Sequence, residues 1–239
     1  AKRAGIDKFD AVIVDEGQDI LNMDSLAKVD ECLKGGLEQG RWCFFHDINN
    51  QSGLCGDYVP DAYDYLSALA PVKIPLKTNC RNTLPILNHI KKTLRADLGN
   101  PCVGDGPSIR EHFANDCQEA IQLTERELEM LTEKEGFVYG DIVILSHLPF
   151  EQSLASSLSP RWQNSMAKLD DASPLSSDRR SIGFAKIPDF KGLESEVVVL
   201  IDLPVPGSSV DFRSLHYVGM SRARAVLTMI NLPVSNALH

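Results

Sequence analysis

Three carboxylates and an amide close an apolar run in the stretch FDAVIVDEGQD, residues 9 to 19. The run reads as a buried strand, Ala11 to Val14, with Asp15, Glu16, Gln18 and Asp19 close behind it. The carboxyl end of a strand is where α/β sheets bind ligands. Asp15 suits a hydrated Mg2+, a hard cation that prefers oxygen donors. Glu16 is placed to orient or deprotonate a water that attacks a phosphoryl group, help worth roughly 10²–10⁴ in rate. The plainer alternative is that these acids cap the helix that follows.

A phosphoryl transfer also needs cations. Its transition state spreads negative charge over equatorial oxygens, which a permanently charged, planar guanidinium matches. Arg81 in LKTNCRNT and Arg222 in YVGMSRARAVL are the candidates, with exposed salt bridges as the alternative for both. Gly192 in FKGLESEVVVL either lets the backbone approach a ligand closely or simply makes a turn. The acidic stretch Glu125 to Glu135 reads as a solvated helix face, and His46, His89, His147 and His216 read as structural. The 6 cysteines and 6 histidines show no zinc spacing and no C-x-x-C pair, which fits reduced thiols in a cytoplasmic protein.

These side chains must be held in place, and the alternation of strands with helices predicts parallel sheets covered on both faces. The predicted strands are Ala11 to Val14, Trp42 to Phe45, Val72 to Leu76, Asp141 to Leu145, Ile182 to Ile187, Val197 to Leu200 and Val226 to Ile230. Helices are expected from about Ser25, over Tyr58 to Leu69, from Thr83, from Asn115 or Asp116 to near Gly136, over Phe150 to Leu158, and over Phe212 to Ala223. Residues 159 to 181, rich in Ser, Asp and Pro, read as a mobile linker. A chain of 239 residues has room for one large domain or two small ones, and Ala70-Pro71 marks the expected break between 1–70 and 71–239. The densest apolar run, Val197 to Ile201, falls far short of the ~18 residues that span a bilayer, so no membrane segment and no signal peptide are expected. A net charge of -9 argues against a broad nucleic-acid-binding face and leaves room for a narrow one, with basic clusters at Lys91-Lys92, Arg179-Arg180 and Arg222 with Arg224.

Taken together, the segments resemble those of UvrD/Rep-type superfamily-one helicases, in the family's order. VIVDEGQD is similar to the Walker B segment, DExQD. CFFHDINNQ is similar to the segment in which an Asp follows a strand and a Gln reaches the γ-phosphate. LKTNCRNT resembles L-x-x-N-Y-R-S/T, FKGLESEVVVL resembles K-G-L-E-x-x-V-V, and YVGMSRARAVL resembles Y-V-A-x-T-R-A. The resemblance implies RecA-like, P-loop NTPase-type parallel sheets, with a partial first domain and a complete second one. It implies ATP and Mg2+, bound between the two domains, and movement along single-stranded DNA, RNA being the other track. By the same resemblance Asp15 would ligate Mg2+ and Glu16 would activate the water. Gln18 would sit near the nucleotide, and Gln51 would sense the γ-phosphate. Arg81 and Arg222 would be arginine fingers, Glu194 would approach the ribose hydroxyl or neighbouring phosphate-site groups, and Tyr217 would pack beneath the site.

The sequence departs from the family in several places. No G-x-x-x-x-G-K-[ST] occurs in it, so the phosphate-cradling loop would come from an upstream segment of the same protein, and this chain alone is not expected to turn over ATP. The wider spacing between Asp47 and Gln51 leaves Asn50 as the other occupant of the sensor position. Lys186 and Pro188 replace a family Thr and His before K-G-L-E, and little room remains between Arg81 and Lys191 for an inserted subdomain. Tyr58, Trp162, Phe184 and Phe190 are the aromatics that a strand-binding channel would stack on bases, and each reads first as core. The leading expectation is thus part of an ATP-driven helicase or translocase. The alternative is a helicase-like binding or regulatory module without hydrolysis, which the presence of Asp15, Glu16, Arg81 and Arg222 disfavours. A Mg2+-dependent nuclease or phosphatase using Asp15, Glu16 and Asp19 ranks last, because it leaves the arginine segments unexplained.

Overall fold

The structure, a computed structural model, describes residues 8–47, 59–169, 180–207 and 212–234. The chain divides into two compact units, Ala1–Pro75 and Leu76–His239.

In the first unit, strands β1 (Ala11–Val14) and β2 (Arg41–Phe44) pair in parallel, Val12 opposite Trp42 and Val14 opposite Phe44. Helix α1 (Met23–Cys32) starts earlier than its apolar spacing predicts, because Asn22 caps it, its side chain accepting the Ser25 N–H at 2.8 Å. The apolar face runs on through Leu33 and Leu37, but the helix does not. Gly35 and Gly36 have φ of 82° and 61°, which turn the chain into the short helix α2 (Gly36–Gln39). A β-carbon on Gly36 would lie 2.5 Å from Asp30 Oδ1, the oxygen that accepts the Leu37 N–H. Helix α3 (Pro60–Ala68) adds Ala62 and Leu66 to a core made with Leu21, Leu26 and Leu37. Among the described residues this core lies against one face of the strand pair, and Ile13 on the other face is 75% exposed.

The predicted strand at Val72 to Leu76 does not form. Residues 71–76 belong to no strand, and Val72, Ile74 and Leu76 are exposed. Pro71 and Pro75 lack the N–H groups that a ladder would need. The nearest strand is β3 (Thr78–Asn79), paired with β4 (Asn100–Pro101).

The second unit is built on a six-stranded, all-parallel sheet in the order β5-β10-β9-β6-β8-β7. Its strands are β5 (Arg110–Phe113), β6 (Ile142–Ser146), β7 (Met166–Lys168), β8 (Ile182–Lys186), β9 (Ser195–Pro204) and β10 (Ala223–Leu232). Central strands of such a sheet are covered on both sides and so read as unbroken apolar runs, as IVILS and VVVLI do. The edge strands REHF and MAK carry no such run, which is why pattern reading passes over them. Helices α4 (Leu84–Leu94), α5 (Cys117–Glu129) and α7 (Arg213–Ser221) flank the sheet. Asp116 caps α5 by accepting the Glu119 N–H at 2.8 Å, and a π-helical turn, Met130–Lys134, prolongs it.

Two expectations for the middle of this unit are corrected. Phe150 to Leu158 forms two 3-10 turns, Phe150–Gln152 and Leu154–Ser157. Ser153 between them is buried, and its hydroxyl donates to Asp202 Oδ2 at 2.6 Å rather than staying outside a continuous helix. The start of the supposed linker is ordered: α6 (Pro160–Gln163) seats Trp162 at 1% exposure, and β7 follows at the sheet edge. Residues 170–179 of that stretch lie outside the described residues.

Candidate functional site

At the carboxyl end of β1 the chain makes a tight, strained turn. Glu16 adopts φ 50°, ψ 43°, the left-handed region, which costs a non-glycine residue about 1–3 kcal/mol. Asp15, exposed, accepts the Glu16 N–H through Oδ1 at 2.9 Å. Gly17 donates its N–H to Phe45 O at 2.7 Å, and a β-carbon there would lie 3.1 Å from that same oxygen. Gln18, 1% exposed, ties the turn together. Its Nε2 donates to Glu16 Oε2 at 2.5 Å, and its Oε1 accepts the Asp47 N–H at 3.0 Å. Gln18 therefore links the Glu16 carboxylate to the segment after β2, as its sequence position suggests. Burial pushes the pKa of His46, beside this segment, below its ordinary 6.5, with Lys73 adding to the effect and Asp47 opposing it.

Among the described residues no group of three or more His, Cys, Asp or Glu side chains could hold a metal ion. A hydrated Mg2+ is commonly bound through one or two carboxylates, with water and substrate phosphates completing its shell. Asp15 is the residue that would supply the carboxylate.

In the second unit, three segments far apart in sequence meet at the amino ends of β9 and β10. The segment 79–83 runs along 221–225: Asn82 Nδ2 donates to Ser221 O at 3.0 Å and Ala223 O at 2.6 Å, and the Thr83 N–H donates to Arg224 O at 3.1 Å. The segment 193–195 closes the other side, with the Ser195 N–H on Arg222 O at 3.1 Å and Arg222 Nη1 on Leu193 O at 3.4 Å. Arg222 is 3% exposed, and its guanidinium also reaches Val218 O and Ser221 Oγ. Arg81 is more open. Its Nε donates to Glu194 Oε2 at 2.7 Å, and Glu194 Oε1 also faces Arg224 Nε at 3.6 Å. Both side chains of the Arg81–Glu194 pair are more than a third exposed, so the pair is worth about 0–1 kcal/mol and is readily exchanged for another anion. An open cleft of about 380 Å³ lies over this pair, lined by Thr78, Asn79, Cys80, Arg81, Leu98 and Glu194.

The structure thus brings Arg81, Glu194 and Arg222 into one neighbourhood, and places Asp15, Glu16 and Gln18 in another. Gly192 has φ 82° with open space where a β-carbon would point, so its backbone dihedral is what asks for glycine there. Glu194 pairs with Arg81 and faces Arg224. Tyr217 is buried at 5%. Gln51, Asn50 and Tyr58 lie outside the described residues. Trp162, Phe184 and Phe190 are core residues, at 1%, 3% and 0% exposure. Sequence reasoning passed over Asn79 and Asn82. A signal was available: two asparagines three apart around an arginine, the pattern of a side chain that closes a turn on its own backbone.

No family model matches the chain, and no curated protein matches it. Solved structures do. Dbp5 from S. cerevisiae, bound to RNA and ADP BeF3, is similar at 13% identity and a TM-score of 0.54, over 99% of this chain and 57% of that one. The C-terminal domain of a possible DNA helicase from Lactobacillus plantarum WCFS1 is similar at 16% identity and a TM-score of 0.49, over 64% of this chain and 88% of that one. An Arterivirus helicase, nonstructural protein 10, gives 16% and 0.46, over 94% of this chain and 39% of that one. This chain therefore spans little more than half the length of Dbp5. At such identities the likeness is one of fold: a mixed α/β, RecA-like helicase fold with an all-parallel six-stranded sheet flanked by helices.

Proposed function

We propose that the chain is part of an ATP-dependent helicase or translocase of UvrD/Rep type, which couples ATP hydrolysis to movement on single-stranded DNA. The observation that carries this reading is the convergence of Arg81, Glu194 and Arg222, with Arg81 and Glu194 separated by 113 residues and Leu193 and Arg222 by 29. They meet at the amino end of the sheet, whereas a parallel sheet binds its own ligand at the carboxyl end. Arginines at that edge suit a unit that contributes to a nucleotide bound mainly elsewhere. The carboxyl-end turn of β1 supplies the complementary chemistry. There Glu16 takes the proton of the attacking water, and Gln18 holds the Glu16 carboxylate. Asp15 would hold Mg2+, which when bound neutralises charge on the phosphate oxygens. Arg81 and Arg222 stabilise the charge that develops on the transferred phosphoryl group.

The exposed face of β1–β2 supports a further part of the proposal. Parallel sheets are normally covered on both faces, and Ile13 lies open on one. An upstream segment of the same protein, carrying the phosphate-binding loop, would cover that face and complete the site. The track is single-stranded DNA, and RNA is the competitor that binding assays would separate from it. The protein works in the cytoplasm, where its scattered cysteines stay reduced.

The test is Glu16→Gln in the full-length protein. ATP binding should persist while turnover stimulated by single-stranded nucleic acid is lost. Full turnover in that variant would remove Glu16 from the chemistry.

A further inference from the structure

We infer that Asn82 is a positioning residue that fixes Arg222 and Arg81 in one geometry, an inference that rests on the ATPase proposed above. Asn82 is 1% exposed, and its side-chain amide is fully used. Nδ2 donates to the carbonyls on either side of Arg222, Ser221 O at 3.0 Å and Ala223 O at 2.6 Å. Oδ1 accepts Asn79 Nδ2 at 3.0 Å. Asn79 Oδ1 in turn accepts the N–H groups of Arg81, at 3.0 Å, and Asn82, at 2.9 Å. The two amides therefore form a bracket. One end sets the backbone of Arg81, and the other grips the carbonyls of Ser221 and Ala223, the residues on either side of Arg222.

The grip falls at the junction of two elements. Arg222 caps the C-terminus of α7 and immediately precedes β10, so its peptide belongs to neither element. The ladder between β9 and β10 is itself irregular there, with a register shift between Ala223 and Val226. Without the Asn82 amide, Ser221 O and Ala223 O lose a buried donor, and the turn that carries Arg222 loses a tie to the segment 79–83. Arg81 and Arg222 are in this way two arms of one frame. The Arg81 arm swings from an exchangeable surface pair with Glu194, and the Arg222 arm is buried.

A residue that acts through Arg222 has a kinetic signature distinct from one that merely stabilises the fold. Misplacing a catalytic group by about an ångström costs on the order of 10²-fold in rate. Asn82→Ala in the full-length protein should lower kcat for ATP hydrolysis by about that factor while KM for ATP stays within roughly threefold. In the Arg222→Ala background, Asn82→Ala should cause little further loss, because residues that act as a unit are not additive. Asn82→Ser keeps a donor for one carbonyl and should be intermediate. If Asn82→Ala does not yield folded protein, Asn82→Ser and Asn79→Ala decide by the same comparison. Independent, multiplying losses in the double variant would overturn the inference and leave the ATPase reading standing. Unchanged hydrolysis in Arg222→Ala alone would overturn the finger role of Arg222 and the inference with it, whereas no hydrolysis by the wild-type protein would overturn the ATPase reading.

Discussion

Glu16 and Arg222 are held by opposite means, and the difference decides what each substitution should do. The Glu16 backbone is strained, and its side chain is kept in place by Gln18, whose amide spans to the Asp47 N–H. Gln18→Ala should cost about 1–3 kcal/mol of stability, since it leaves the Asp47 N–H and the Glu16 carboxylate without this partner. Urea unfolding of the chain would measure it, and a midpoint equal to that of the wild type would contradict it. Arg222 is instead buried among carbonyls at the end of α7. Arg222→Ala should lower stimulated ATP hydrolysis by on the order of 10³–10⁵ while binding to single-stranded DNA is largely kept. Equal hydrolysis in steady-state assays would reject the finger role.

The elements of the second unit are tied to one another by buried polar groups as well as by the sheet. Glu127 on α5 is 2% exposed, and it accepts from Arg110 Nη1 at 2.5 Å and from Thr228 Oγ1 at 3.2 Å, with His112 Nε2 at 3.1 Å. Arg110 also pairs with Glu135. Burial works against the Arg110 charge, but its hydrogen bonds to Glu135 and Glu127 raise its pKa above the usual guanidinium value. The edge strand β5 is thus pinned to α5 through charge, and Glu127→Ala should destabilise by about 1–3 kcal/mol because the buried Thr228 hydroxyl and the half-buried Arg110 lose a hydrogen-bond partner. Trp162→Ala should cost about 3–5 kcal/mol by leaving a large cavity, where a flexible linker would have shown no loss. Thermal unfolding measures both. These two positions also mark the limit of what could be read from the sequence. The apolar runs of β6, β9 and β10 and the spacing of α4 announced themselves, because central strands and amphipathic helices leave a periodic trace. Strand β5 reads as polar because an ion-pair network, not apolar burial, holds it. The segment around Trp162 reads as linker because its Ser- and Pro-rich composition outweighs one aromatic residue. At the site, Arg81 and Arg222 were legible from their motifs. Asn82 was not, since its role depends on carbonyls 139 and 141 residues away.

Over the whole molecule, burial holds the pKa values of His46, His89 and His216 below their ordinary 6.5. For His216 the Pro204 and Phe212 carbonyls oppose the shift, while His147 and His89 add to it. The folded protein keeps these rings neutral at a pH where the unfolded chain takes up protons. Their contribution to stability is therefore complete above about pH 6.5 and declines as the pH falls toward the depressed folded values. The urea midpoint should be higher at pH 7.5 than at pH 5.5, and His216→Gln should flatten that dependence; a midpoint that does not change over this range would contradict it. Proton linkage of this kind concerns folding alone. The motor reading stands or falls on coupling between nucleotide and strand. The most direct measurement is ATP hydrolysis by the full-length protein, with Mg2+, in the presence and absence of single-stranded DNA. Hydrolysis that rises when the strand is added, and that is lost in Glu16→Gln, is the predicted result. No hydrolysis under either condition, with the strand still bound, would contradict the motor and favour a binding module.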